Sequence, residues 1–327
     1  MGRLAITGAA SFLGSRLLQS LVKERGGDDV VVLDIAPPPA ALARVRFHEL
    51  DLTEPAADQR LLDLLKQEGV EAVVHMAFFT TPRRDSSYAH ELESIGTLAV
   101  LAAAVAAGVK HFVLRSFTAV YGARGQNPSF LTEERPLLPD TSLGWVRDKL
   151  EAEQHAAAFA KRYPRMTVTV LRFAPLFGPG VRNFYTRIFD KRVVPVLMGY
   201  DPLFQLLHPD DALDAAERAV EKTPGGAFNV VPRSPIPLVT ALHLAGKIPL
   251  SVPHPAAYLL TDLLWSAGLT EAPGGFVDYA RYPVVADGEK AERELGFKAR
   301  HGSREALMEY VRYRHHRGAG RRAEAEA

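Results

Sequence analysis

The residues best suited to chemistry stand near the start of the chain. Thr7 and Gly8 open a loop of small residues that closes at Gly14, and an apolar segment precedes it. Glycines permit a tight turn and close packing, and the first turn of a following helix offers free N–H groups to a pyrophosphate. Asp34 ends the next apolar segment, where a carboxylate can accept from both hydroxyls of an adenosine ribose. This spacing predicts a dinucleotide site.

Asp34 also indicates which dinucleotide is bound. A carboxylate repels the additional phosphate of NADP, and no arginine or lysine occurs in 35–37. NAD is therefore the expected cofactor, with NADP less favoured. Two structural alternatives stay open, because small residues between a strand and a helix can serve packing alone, and Asp34 can cap a turn or a helix.

The elements that must position this loop alternate along the first half of the chain, as in crossover units that build a parallel sheet. The predicted strands are Leu4–Thr7, Val30–Asp34, Val45–His48, Ala72–Met76, His111–Arg115 and Thr167–Arg172. The predicted helices are Phe12–Arg25, Pro55–Glu68, Tyr88–Ala107 and Gly144–Arg162. The predicted class is α/β, with a Rossmann-like, doubly wound parallel sheet.

After Arg172 the regular alternation of strands and helices stops, because frequent prolines break the chain into short helices and loops. We therefore assign 1–172 to the dinucleotide-binding domain and 173–204 with 232–314 to a smaller C-terminal, substrate-side domain. The segment 205–231 is expected to return to the first domain through a strand at Gln205–His208, a helix at Pro209–Lys222 and a strand at Ala227–Val231. The tail, 315–327, has no apolar periodicity and is expected to be frayed or disordered.

Composition favours small-molecule chemistry. Of the 327 residues 47% are apolar, and 39 basic residues nearly balance 38 acidic ones, so we expect neither nucleic acid nor a membrane as a partner. The most apolar later segment, Leu98–Val109, is too short and too rich in alanine to span a bilayer. The chain contains no cysteine, which excludes disulfides and thiolate sites. We expect a soluble, cytoplasmic protein with a small-molecule ligand or substrate.

Further motifs follow in order along the chain. They are Asp51-Leu52, His75-Met76-Ala77, Ile95-Gly96-Thr97, Val120-Tyr121-Gly122, Arg172 with Phe177-Gly178-Pro179-Gly180, His208-Pro209-Asp210-Asp211, Phe228-Asn229-Val230 and Glu294-Leu295-Gly296-Phe297. Together with the first loop, this ordered set resembles the extended short-chain dehydrogenase/reductases, also called NAD-dependent epimerase/dehydratases. The resemblance spans almost the whole chain.

The resemblance implies a set of cofactor-binding residues. These are Gly8, Ser11, Phe12, Leu13, Gly14, Asp34, Asp51, Leu52, His75, Ala77 and Lys149. Ser11 departs from the family pattern, because it occupies the middle glycine position, where the backbone approaches the pyrophosphate. Lys149 matches the family lysine that bridges the hydroxyls of the nicotinamide ribose.

The catalytic positions implied by the resemblance also depart from the family. The family's Tyr-x-x-x-Lys corresponds to Trp145 through Lys149, so tryptophan replaces the tyrosine that exchanges a proton with the substrate oxygen. An indole N–H is only a donor and does not titrate usefully. The usual Ser/Thr position falls on Phe117, and Thr118 beside it is a weaker candidate because neighbouring residues of a strand face opposite sides. Glu93 stands where the family has Asn.

Two functions remain open on these grounds. The first is an NAD(H)-binding protein with an altered, impaired catalytic site that acts as a ligand-binding or regulatory protein. The second is an active oxidoreductase, epimerase or dehydratase, acting on a nucleotide sugar, a sterol-like compound or another small alcohol or carbonyl, with a non-standard proton donor. Candidate donors are Tyr88, Tyr121, Tyr185 and His75. We predict no metal site, and the helices Tyr88–Ala107 and Gly144–Arg162, which correspond to a common family interface, predict a homodimer.

Overall fold

A computed structural model describes residues 2–42, 44–270 and 272–326, with the side chains of all of these except 41 and 317–326. A parallel sheet of seven strands forms its centre. Its strands are β1 (Arg3–Thr7), β2 (Val30–Asp34), β3 (Arg46–Glu49), β4 (Val70–His75), β5 (His111–Phe117), β6 (Thr167–Phe173) and β9 (Gly226–Val230). Their spatial order is β3-β2-β1-β4-β5-β6-β9. The order reverses between β1 and β4, where ligands of doubly wound folds bind.

Helices cover both faces of the sheet, which explains why its strands read as continuous apolar runs. The long helices of this region are α1 (Phe12–Arg25), α2 (Ala57–Gln67), α4 (Gly96–Ala107), α5 (Gly144–Arg162) and α7 (Pro209–Lys222). Helices α1 and α7 pack on one face, and α2, α4 and α5 pack on the other. The predicted α/β class and doubly wound sheet are confirmed.

A short helix and a π-helical turn precede α4. Helix α3 (Ser86–His90) leads into the π-helical residues Glu91–Ile95, and α4 continues without a break. The whole stretch Ser86–Ala107 is long and apolar enough to cross a membrane, but half of its most apolar window is buried inside the protein. It packs against α2 and α5, as a core helix of this fold does.

Short elements lie outside the central sheet, and several of them share a core of their own. They are α6 (Phe184–Asp190), β7 (Val193–Leu197), β8 (Leu203–Phe204), β10 (Ile236–Pro237), α8 (Leu238–Leu244), β11 (Ile248–Val252) and α9 (His254–Ser266). Strand β11 pairs with β7 in parallel, and β10 pairs with β8 antiparallel. Phe177, Phe189, Leu206, Leu242 and Tyr310 lie in the core that α6, β7, β10 and α8 share, and α9 has no buried residue.

The segment 205–231 contributes a strand and a helix to the layers around the central sheet, and one of its elements differs from the prediction. Strand β9 pairs with β6, and α7 packs on α1. The strand predicted at Gln205–His208 is wrong, because regular pairing covers only β8, and Leu207 makes a single bridge to Leu176. Pro209 follows at the start of α7, and the Gln205 side chain bonds the backbone oxygens of Pro232 and Ala286, so this segment is fixed by its side chains.

The last helix, α10 (Ser303–Glu326), extends through most of the tail for which fraying or disorder was predicted. Alanine, glutamate and arginine are strong helix formers, so the tail can continue a helix without an apolar stripe. Ala327 lies outside the described residues.

Candidate active site

The loop between β1 and α1 closes on two glycines whose contacts leave no room for a side chain. Gly8 has a φ of +70°, and a Cβ there would lie 2.4 Å from the backbone nitrogen of Ala77. A Cβ on Gly14 would lie 2.1 Å from the carbonyl oxygen of Gly8. The loop is therefore held against both the end of β4 and the first turn of α1.

Ser11 caps α1 and does not fill the loop. Its hydroxyl accepts from the backbone N–H of Gly14 at 3.1 Å. The N–H groups of Phe12 and Leu13 open the same helix and have no acceptor within it, which is the arrangement that receives an anion. The Leu13 side chain is buried in the core, so this residue can offer only its backbone to a ligand.

Asp34 lies beside this loop at the end of β2. Its two carboxylate oxygens accept from the backbone N–H groups of Ala10, at 2.9 Å, and Ile35, at 2.8 Å. A carboxylate can accept further hydrogen bonds, so its capping role and a ribose-binding role are compatible. We call the adjoining space the loop cleft; it is lined by Thr7, Gly8, Ser11, Asp34, Asp51, Leu52 and Ala77. These residues fit the pyrophosphate and adenosine of a dinucleotide.

His75 lies beneath the loop and does not line this cleft. It is fully buried, with Nδ1 2.6 Å from the Thr7 hydroxyl and Nε2 3.0 Å from the Thr97 hydroxyl. The Thr97 hydroxyl donates its proton to the carbonyl of Glu93, so His75 Nε2 must donate and Nδ1 must accept. Burial lowers the pKa of His75 to about 3, and the ring is neutral. His75 supports the loop, and the structure gives it no exposed surface for the predicted cofactor contact.

Phe117 and Trp145 come together in a second space, the aromatic cleft, which is lined by Phe12, Arg115, Phe117, Trp145, Phe173 and Tyr185. The ring centres of Phe117 and Trp145 are 5.9 Å apart. The indole N–H of Trp145 donates to the carbonyl of Phe79 at 3.0 Å. Because this N–H is hydrogen-bonded to the backbone, Trp145 presents its ring to the cleft and no free polar group.

Lys149 lies behind these rings, where Glu93 holds it. Its Nζ is 2.7 and 3.0 Å from the two carboxylate oxygens of Glu93, and both side chains have 0% exposure. The same Nζ lies 4.4 Å from the ring centre of Trp145 and 5.1 Å from that of Phe117. Lys149 is therefore enclosed by a carboxylate and aromatic rings, and its ammonium group does not line either cleft.

The position of Glu93 explains this pairing. Glu93 lies in the π-helical turn before α4, and it also accepts from the backbone N–H of Phe79 at 2.5 Å. Burial raises the pKa of Glu93 and lowers the pKa of Lys149, while their mutual contact opposes both changes. The sequence showed that Glu93 replaces an Asn, but only the fold shows that the carboxylate reaches Lys149.

Comparison with known proteins identifies the family. A family model described as the NAD dependent epimerase/dehydratase family matches residues 4–230. The chain belongs to the NAD-dependent epimerase/dehydratase family. This confirms the resemblance drawn from the ordered motifs.

Relatives of this epimerase/dehydratase-family protein include several kinds of enzyme. It is 32% identical over 316 residues to an uncharacterised protein of Mycobacterium tuberculosis, covering 94% of this chain and 83% of that protein. It is 28% identical over 297 residues to a 3-diazoavenalumate denitrifying reductase of a Streptomyces species, covering 85% and 93%. Among solved structures, MoeE5 in complex with UDP-glucuronic acid and NAD is 25% identical, with a TM-score of 0.74 over 97% of this chain and 100% of MoeE5.

The hydroxyls that flank Phe117 do not replace the serine or threonine of the family. Ser116 donates to the buried carboxylate of Glu153, which also pairs with Arg172 at 2.7 Å. Thr118 begins a short 3-10 turn and faces a small cavity beside Tyr185, outside the lining of the aromatic cleft. Both hydroxyls therefore lie away from the side of β5 on which Phe117 meets Trp145.

Among the candidate proton donors, Tyr185 is the one that lines the aromatic cleft. Burial raises the pKa of its hydroxyl, which therefore keeps its proton at neutral pH. Tyr121 instead accepts from Arg172 at 2.8 Å and donates to Asn229 at 2.8 Å, which fixes it within the sheet face. Tyr88 lines the loop cleft.

Sequence reasoning missed Arg115, which lines the aromatic cleft. It precedes Phe117 by two residues on β5, so the alternation of a strand places both on one face. That spacing was available in the sequence, but an arginine inside an apolar strand does not by itself indicate a ligand.

A group of metal-ligating types also assembles away from the clefts, although the sequence predicted no metal site. Potential ligand atoms of His208, His301 and Glu309 lie within 4.8 Å of one another. Their hydrogen bonds join separate elements: His208 caps α7 and lies 3.1 Å from Glu309 of α10, while His301 lies 3.0 Å from Asp211. These contacts give the group a structural role at the junction of α7 and α10.

Proposed function

We propose that this protein binds NAD(H) at the loop cleft and a small molecule at the aromatic cleft, and that it has lost the standard proton transfer of its family. In this role it acts as a ligand-binding or regulatory protein. The observation that carries the proposal is the buried pairing of Lys149 with Glu93 beneath Trp145. A titrating hydroxyl is missing from position 145, and the lysine that would assist it is committed to a carboxylate.

The cofactor predicted from Asp34 is confirmed as NAD by the family and by solved relatives such as MoeE5, whose structures contain NAD. In this chain, the start of α1 would receive the pyrophosphate and Asp34 would accept from the adenosine ribose. The bound cofactor would supply hydride chemistry, and the protein would supply orientation and electrostatics. Loss of proton transfer leaves these binding functions intact.

Restoring the family residues tests this proposal. We expect the triple variant Glu93→Asn/Phe117→Ser/Trp145→Tyr to gain or increase turnover, because it frees Lys149 and supplies the missing hydroxyls. The assay follows NADH absorbance and product formation with UDP-glucose, dTDP-glucose and simple ketones as substrates. The double variant Phe117→Ser/Trp145→Tyr, which leaves Glu93 on Lys149, serves as the matched control and should gain less.

A decrease in existing turnover on this triple replacement would contradict the proposal and favour a second function. That function is an active reductase of a small carbonyl compound, in which Tyr185 donates the proton to the substrate oxygen as hydride arrives. The placement of Tyr185 in the aromatic cleft supports it. In that case Tyr185→Phe abolishes turnover of the unmodified protein while NADH binding stays unchanged.

Two further assignments stay predictions. The family correspondence of α4 and α5 supports a homodimer, which sedimentation measurements can test. The cysteine-free, charge-balanced composition supports a cytoplasmic location.

A further inference from the structure

Arg115 is a buried cation whose guanidinium lacks the partners that buried arginines require. Its side chain lines the aromatic cleft, and the residue is 3% exposed. Its Nε and Nη1 make no hydrogen bond to any described residue. Burying a charged donor without a partner costs free energy, because the group loses its water and gains nothing in return.

Arg172 shows what a structural arginine looks like in the same sheet. It lies on the neighbouring strand β6, where Nε and Nη2 donate to the Glu153 carboxylate and Nη1 donates to the Tyr121 hydroxyl. Every nitrogen of Arg172 thus has an acceptor. Arg115 has a comparable degree of burial without such a set, so packing of the sheet does not account for it.

The buried carboxylates near Arg115 already have other partners. Glu93 is the carboxylate whose field acts on Arg115, and that carboxylate already makes two hydrogen bonds to Lys149. Burial lowers the pKa of Arg115 to about 10, so it stays charged at neutral pH. The buried Asp148 carboxylate also acts on Lys149, but it accepts from Arg147. Arg115 therefore has no carboxylate of its own among these buried charges.

The residues around Arg115 indicate what kind of molecule would bind beside it. The guanidinium carbon lies 5.0 Å from the ring centre of Phe117, and the rings of Phe12, Trp145, Phe173 and Tyr185 line the same cleft. Aromatic walls favour a flat apolar body, and a guanidinium with unpartnered donors favours a carboxylate, to which it can donate charge-assisted hydrogen bonds.

We propose that Arg115 is the recognition residue for a carboxylate on a flat, apolar small molecule that occupies the aromatic cleft. This inference rests on the proposed function in that it names the class of ligand bound beside the cofactor site. Exposed Arg192, which lies outside the lining of this cleft, offers a control, since it carries an equal charge.

The test compares benzoate with its neutral analogue benzamide by ligand-observed NMR and calorimetry on the full chain. A charge-assisted hydrogen bond contributes about 1.5–3 kcal/mol, so we expect benzoate to bind roughly tenfold or more tightly than benzamide. Arg115→Met should remove this preference, and Arg192→Met should leave it within about threefold. Replacing an unpaired buried charge with an apolar side chain should also raise the melting temperature; Arg115→Gln provides a second neutral variant if the methionine variant does not fold.

Equal affinity for the two probes in the unmodified protein, binding of neither, or a preference that survives Arg115→Met would overturn the proposal. The affinity of the dinucleotide site for NADH is measured separately on the same samples by titration. Asp34→Ala should weaken NADH binding and leave the benzoate preference of the cofactor-free protein unchanged, so failure of one site is distinguishable from failure of the other.

Discussion

Glu93 and Lys149 neutralise each other in a region that water does not reach, so neither charge can be removed alone without leaving the other unpaired. The Glu93 carboxylate also accepts from the backbone N–H of Phe79, and the Trp145 indole donates to the carbonyl of that residue. The backbone of one residue after β4, Phe79, is thus bonded on both sides by substituted positions, 93 and 145. These two departures from the family therefore form one connected arrangement with Lys149.

This arrangement predicts strong coupling in stability. Glu93→Gln or Lys149→Met alone should lower the free energy of unfolding by about 3–5 kcal/mol, because each leaves a buried charge unpaired. The double variant Glu93→Gln/Lys149→Met should recover most of that loss. Urea denaturation of the four proteins measures the coupling. Additive losses in the double variant would show that the two charges do not stabilise each other.

At the scale of elements, the junction of β1 and α1 determines whether the loop cleft can form. Gly14→Ala should destabilise the fold and abolish NADH binding, because its Cβ would meet the Gly8 carbonyl oxygen at 2.1 Å. Gly144→Ala is a matched control, since that glycine also opens a helix but the nearest atom to its new Cβ is 3.6 Å away. Thermal unfolding and NADH titration of both variants provide the comparison, and equal behaviour would contradict the assigned packing.

The sequence predicted these elements well where hydrophobic pattern and local caps decide them. The bounds of α1, α5 and α7 agree with prediction, and the six early strands agree within two residues at each end. Prediction failed where tertiary contacts decide: the strand expected at Gln205–His208 is largely replaced by side-chain bonds.

The candidate site divides in the same way. Asp34 and the glycine loop follow from a local motif and could be predicted from the sequence. The pairing of Glu93 with Lys149 could not be predicted, because the two residues are 56 apart in the sequence. The π-helical turn that places Glu93 has no local sequence pattern that indicates it. The unpartnered Arg115 likewise becomes meaningful only when its surroundings are known.

At the scale of the whole molecule, buried neutral histidines make folding sensitive to acid. Burial lowers the pKa of His75 from an ordinary 6.5 to about 3. Between these two pH values the unfolded chain binds a proton at this histidine and the folded chain does not. The contribution of His75 to the free energy of unfolding is therefore fully present above pH 6.5 and is lost as pH falls through this window. The loss from His75 alone is about 2–3 kcal/mol near pH 4.5. Denaturation at several pH values should show a smaller loss for His75→Gln; an unchanged pH dependence would contradict the neutral, buried assignment.

The most direct test of the central claim, an NAD(H) site built around Asp34, is a heat-stability titration with NAD, NADH, NADP and NADPH. A ligand that binds only the folded state raises the melting temperature, and the rise grows with the ligand concentration and with the affinity. The account predicts that NAD and NADH stabilise the protein more than NADP and NADPH, that Asp34→Ala removes this preference, and that Asp29→Ala, at an exposed carboxylate before β2, retains it. No stabilisation by any of the four, or an unchanged preference in Asp34→Ala, would contradict it.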